Sequence, residues 1–106
     1  MKHDRLENMV KGWFVGAFEP TVLYTHNCEV AVKNYKAGDR EDMHYHAIAT
    51  EVTVVVSGEV RMLNKVWKAG DILCLSPGEA TDFYALTDAT TVVVKQPGVT
   101  NDKYLV

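Results

Sequence analysis

Cysteine is scarce in this chain of 106 residues: Cys28 and Cys74 are the only two, and no CxxC spacing joins them. A disulfide framework in a small secreted domain needs a denser set, so the pair reads as two reduced, buried thiols of a cytoplasmic protein. Long apolar runs are missing too. None approaches the roughly 20 residues of a membrane-spanning helix, although the hydrophobic share, 47%, is ordinary for a globular chain. Basic charge is not in excess either. A formal net charge of −3 with scattered lysines lacks the cationic face on which nucleic acid is bound. The opening stretch MKHDRLENMVKGWFVGAF places Asp4 and Glu7 ahead of a short apolar patch, with no small-residue cleavage site behind it. No secretory leader is expected. Linkers and low-complexity segments are also lacking. The expectation is one soluble domain over residues 1–106, in the cytoplasm, with neither nucleic acid nor membrane as a partner.

Helical signal is confined to the start. Asp4 stands where it can cap a turn with Glu7 three residues on, and Leu6, Met9 and Val10 share one helical face. After Gly12 the texture changes to short β-branched and aromatic runs separated by turn signals such as KAGD, SG, LNK and SPGE. These runs predict strands near 13–18, 21–25, 28–36, 43–46, 50–57, 59–63, 66–68, 71–75, 81–85 and 90–95. Many short strands at regular spacing predict an all-β sandwich or closed barrel. Two of them, Val52 to Val56 and Thr91 to Val94, are apolar on both faces. Something must cover the outer face as well: a second copy of the chain, a homodimer, is the simplest cover, and the N-terminal segment lying across it is the alternative.

Chemistry concentrates in GDREDMHYHAIATEVTVVVSG, Gly38 to Gly58. Alternation along a strand puts His44 and His46 on one face and Tyr45 on the other, which is the geometry of a chelate. The spacing of Gly38, His44, His46, Glu51 and Gly58 resembles the first signature of the cupin superfamily, G-x5-H-x-H-x3–4-E-x6-G, at every fixed position. That resemblance implies a small double-stranded β-helix, a jelly-roll barrel. It also implies that His44, His46 and Glu51 hold one divalent transition metal per subunit. Such a 2-His-1-carboxylate set leaves coordination positions open, and its ligand types suit Fe, Mn, Ni, Co or Zn.

The second cupin signature, G-x5-P-x-G-x2-H-x3-N, is incomplete. Gly70 and Gly78 are in place, Pro77 is displaced by one residue, and Thr81 and Ala85 stand where the family has histidine and asparagine. The fourth ligand is therefore missing. Asp82 is an alternative fourth ligand, but if Thr81 faces the interior, alternation aims Asp82 outward unless a bulge intervenes. Thr81 and Phe83 then become candidate contacts to a substrate, with Phe83 at the pocket mouth and Tyr84 facing away. His26 and Cys28, read on one strand face, have no third ligand beside them. His3 lies in the N-terminus, and Cys74 reads as a packed thiol. Trp13, Phe14, Phe18 and Trp67 read as core or interface aromatics.

Two functions follow. One is a metal-dependent enzyme on a small polar molecule, by dioxygen chemistry at an open-sited iron or by Lewis-acid isomerisation of a sugar-like hydroxy-carbonyl compound. The other is a metal-free or non-catalytic module that binds a sugar or another small ligand in the same cavity.

Overall fold

The computed structural model describes residues 1–106. One 3-10 turn, Leu6–Asn8, precedes ten strands: β1 Trp13–Val15, β2 Glu29–Tyr35, β3 Arg40–His46, β4 Thr50–Ser57, β5 Glu59–Met62, β6 Lys65–Lys68, β7 Ile72–Leu75, β8 Thr81–Ala85, β9 Ala89–Gln96 and β10 Lys103–Leu105. They build two five-stranded sheets with the orders β1-β2-β9-β4-β7 and β10-β3-β8-β5-β6. Every strand pairing is antiparallel. The chain is all-β, as its strand pattern predicts, and a double-stranded β-helix, as the cupin resemblance implies. No helix is long and apolar enough to cross a membrane.

The core cluster draws from both sheets: Val55, Leu73, Leu75 and Ala89 from the first, Val60, Met62, Phe83 and Ala85 from the second. One face of each sheet therefore packs against the other. The inward rows of the first sheet are graded. Tyr35 pairs with Ala89 beside the apolar cluster, Lys33 pairs with Thr91, and Glu29, Lys95 and Glu51 line up at the far end. One end of the barrel is closed by hydrocarbon, and the other is polar.

Two copies of KAGD make the same turn. In each, the aspartate carboxylate accepts the lysine N–H, Lys36 to Asp39 and Lys68 to Asp71, both at 2.8 Å. In each, the glycine adopts a positive φ, 93° at Gly38 and 96° at Gly70, a conformation costly for residues with a Cβ.

Several local expectations change. The N-terminal segment is a single 3-10 turn without a capping box: Asp4 accepts from Arg5 N–H and the Asn8 side chain, while Glu7 pairs with Arg5. Residues 21–25 form no full strand: they make only an isolated parallel bridge to β1, Leu23 with Val15, and the Thr21 hydroxyl bonds both the N–H and the carbonyl of Leu23. A strand absent from the sequence reading, β10, pairs with β3. Cys74 is exposed and Cys28 half-buried, so neither is the packed thiol expected. His26 lies in a bend outside the strands.

Candidate functional site

The polar end of the barrel holds a cavity of about 270 Å³ lined by His44, His46, Glu51, Thr81 and Phe83, so the structure brings together all five residues singled out in the sequence. His44 and His46 are both buried on β3, their ring centroids 5.5 Å apart and nearly perpendicular. Each ring is oriented by the backbone. His44 Nδ1 bonds the Asp42 carbonyl at 2.8 Å, and His46 Nδ1 bonds the Asp102 carbonyl at 3.2 Å. A ring that donates from Nδ1 presents the lone pair of Nε2, the arrangement that orients a ligating imidazole.

His46 is anchored twice more. Its carbonyl accepts the Gly78 N–H at 2.7 Å, tying the β7–β8 turn to β3. Beside it, the Asp102 carboxylate accepts the N–H groups of Ala47, Ile48 and Ala49 at 2.9–3.1 Å. Those three residues connect His46 to the strand that carries Glu51. Burial works against the charge on Asp102, but the three N–H bonds outweigh it and hold the carboxyl below its ordinary value.

Glu51 faces the cavity from β4, its carboxylate Oε1 3.8 Å from His46 Nε2. Burial raises its pKa, and Lys95 and His44 only partly oppose that. Burial, assisted by Lys95 and His44, pushes His46 down to about 4. A neutral imidazole beside a carboxyl biased toward its protonated form is no ion pair, but it is a donor set. Beside the main cavity, a void of about 10 Å³ is bounded by His44, His46 and Glu51 together with Thr81. That is space for about one water-sized atom. As the side chains stand, no three His, Cys, Asp or Glu groups in the chain converge at metal-holding distance. The donor types and the atom-sized space suit a divalent ion; closing a coordination shell around it requires side-chain adjustment.

β8 alternates regularly, with Thr81, Phe83 and Ala85 buried and Asp82 and Tyr84 turned outward. Asp82 is therefore not a fourth ligand. A bulge exists, but on β3: Glu41 pairs with Phe83 and His44 with Thr81, so three steps on β3 match two on β8. The extra residue resets the alternation and turns Glu41 into the cavity with the histidines. The Thr81 hydroxyl donates to the Asp82 carbonyl at 2.7 Å and accepts the Leu63 N–H at 3.0 Å, so its one proton is committed to the backbone. Phe83 is 5% exposed, belongs to the apolar cluster and meets Tyr35 at 4.3 Å between centroids. It forms the floor of the cavity and not its mouth.

Sequence reasoning missed several lining residues. Trp13, read as a core or interface aromatic, lines the cavity with Lys33 and Lys95 over its ring at 5.2 and 4.7 Å. Tyr35 donates to Glu41 at 3.2 Å, and burial together with that carboxylate raises the phenol's pKa. Period-2 alternation from Glu29, which is buried, assigns Lys33 and Tyr35 inward and so carried this signal. For Glu41 the bulge hides it.

No protein-family profile and no curated protein matches the chain. Solved structures do share its fold. An uncharacterized conserved protein with a double-stranded β-helix domain from Klebsiella pneumoniae is 26% identical with a TM-score of 0.72, over 80% of this chain and 75% of that one. An RmlC-like cupin from Shewanella frigidimarina is 22% identical with a TM-score of 0.66, over 74% and 72%. The DMSP lyase DddQ from Ruegeria pomeroyi is 16% identical with a TM-score of 0.72, over 89% of this chain and 49% of that one. Taken with the double-stranded β-helix and the complete first signature from Gly38 to Gly58, these matches give the chain the fold of the small cupins.

Proposed function

We propose that this chain binds one divalent transition metal through His44, His46 and Glu51 and acts on a small polar molecule in the adjoining cavity. The observation that carries the reading is the atom-sized void bounded by all three donors, beside two imidazoles whose Nδ1 atoms are already bonded to backbone carbonyls. A metal held there would supply Lewis-acid polarisation of a ligand oxygen, as in an isomerisation, or as iron the open positions of dioxygen chemistry. The chain's own groups do the rest. Phe83 and Met62 exclude water from the floor, and Trp13 gives a flat apolar wall. Tyr35, kept as a neutral phenol, donates to Glu41 and orients its carboxylate toward the cavity. That a lyase shares this fold supports small-molecule chemistry here.

Proton NMR with added Zn(II) tests the proposal. The ring resonances of His44 and His46 should move together at one equivalent, while those of His3 and His26 stay. Shifts confined to His3 and His26 would favour the second reading, a metal-free binding module. Two observations support that alternative: the unclosed donor set and Thr81 in the place of the second signature's histidine.

A further inference from the structure

The cavity is cationic in an acidic chain. Lys11, Lys33, Lys95 and Lys103 line it against Glu41 and Glu51, while the chain as a whole carries a formal charge of −3. Glu29 reaches Lys95 at 4.0 Å, and granting that pair in full still leaves three lysines against two carboxylates. Arg40, Arg61 and Lys65, the basic residues flanking the signatures in sequence, do not line it. Arg61 instead lies over the outward ring of Tyr84.

A second observation is independent of charge. The Thr91 hydroxyl, in a residue 1% exposed, makes no hydrogen bond of good geometry in the protein, although the Tyr35 phenol lies near enough to be influenced by it. Thr91 lines the cavity and is the cross-strand partner of Lys33. A buried hydroxyl without a partner is costly, and a bound acceptor offsets that cost. Lys33 is in a similar position: burial lowers its pKa, Glu41 opposes that only in part, and the neighbouring Lys95, Lys11 and Lys103 add to the lowering. An anion nearby relieves both.

We infer that the cavity binds a small organic carboxylate, with Lys33 and Thr91 on the side that receives the carboxylate group and Trp13 flanking its carbon skeleton. The inference deepens the reading of the cavity as a small-molecule site and rests on it. Carboxylate is favoured over phosphate because two glutamates share the space and would repel a dianion, and because no arginine fork lines it. About 270 Å³ limits the ligand to a small acid.

The test is calorimetric titration of chelator-treated protein at low salt with the monoanions acetate, lactate and pyruvate, against glycerol, glucose and inorganic phosphate. At least one carboxylate should bind and weaken as salt is raised, with the uncharged probes and phosphate binding more weakly. Lys33→Met should weaken it roughly tenfold or more, the loss expected for one charge-assisted hydrogen bond. Thr91→Val, which removes only the unpartnered hydroxyl, should melt no lower than the parent and still bind the carboxylate less tightly. Failure of every carboxylate to bind, tighter binding of glucose or phosphate, or an unchanged affinity in folded Lys33→Met and Thr91→Val would overturn the inference. Metal content of the same samples, measured before chelation, separates the two readings. Carboxylate binding without metal loading removes only the metal, and metal loading with glucose preferred removes only the carboxylate.

Discussion

Asp102 holds His46 by its backbone and the loop behind His46 by its side chain: its carbonyl accepts from Nδ1 at 3.2 Å, and its carboxylate takes the N–H groups of Ala47, Ile48 and Ala49. One residue from the C-terminal segment thus sets both the tilt of the imidazole and the path from His46 to Glu51. Asp102→Ala leaves three backbone donors short of an acceptor and should cost about 2–4 kcal/mol. Asp102→Asn, which keeps one oxygen, should cost less. Urea unfolding measures both, and equal stability of all three proteins would show the clamp to be incidental.

The two glycines that bracket the first signature have different roles. A Cβ on Gly58, at φ 81°, would stand 2.2 Å from the Asp88 carbonyl oxygen and 2.8 Å from Ala89 Cα. At Gly38, φ 93°, it would meet nothing within 4 Å. Gly38→Ala should therefore cost only the left-handed backbone penalty of about 1–2 kcal/mol. Gly58→Ala forces backbone apart and should cost more than about 3 kcal/mol. Thermal unfolding of the two variants should separate them clearly, and matching midpoints would contradict the close contact.

Acid should loosen the fold through His46. Its pKa is lowered from 6.5 to about 4, so the unfolded chain takes up a proton near 6.5 that the folded chain refuses until about 4. Stability is complete above 6.5 and falls as pH drops through that window, by something on the order of 3 kcal/mol. Glu51 acts the other way. With its pKa raised above 4.5, it costs stability as pH rises past that value and so offsets part of the acid loss. His46→Gln should flatten the slope. An unfolding free energy with the same pH dependence in both proteins would count against a buried neutral His46.

The outer face of the first sheet carries Val30, Val94 and Val52 in one row and Val32, Val92, Val54 and Ile72 in the next. Ile72 is 68% exposed. A face so apolar fits a contact between two copies of the chain and predicts a homodimer at micromolar concentration. Light scattering should report twice the chain mass for the wild type and the single-chain mass for Ile72→Glu. A monomeric wild type would rule the contact out.

What the sequence revealed followed local physics. β4 at 50–57 and β8 at 81–85 were legible to the residue, because a β-branched or aromatic run with a glycine turn at one end leaves few alternatives. That His44 shares a face with His46, and Thr81 with Phe83, followed from alternation; that both faces are the inner ones was implied by the cupin resemblance. Glu41 was illegible because three positions from His44 is the wrong parity for an unbulged strand, and nothing in EDMH marks the extra residue. Asp102 was illegible for another reason. Its partners lie more than 50 residues away, and only the pairing of β10 with β3 brings them together. Cys74 was read as buried because ILCL is wholly apolar, yet on this strand the exposed face carries Ile72 and Cys74.

The most direct measurement is bound metal per chain after reconstitution with Fe(II), Mn(II), Ni(II) and Zn(II) and exhaustive dialysis, on untagged protein. The His44, His46 and Glu51 site predicts about one equivalent in the wild type and none in the double variant His44→Ala, His46→Ala. It also predicts tighter retention in Thr81→His, by roughly 10–100-fold, since the substitution restores an imidazole opposite His44. Less than about a tenth of an equivalent in the wild type with all four metals, a level of trace carry-over, would contradict the proposal.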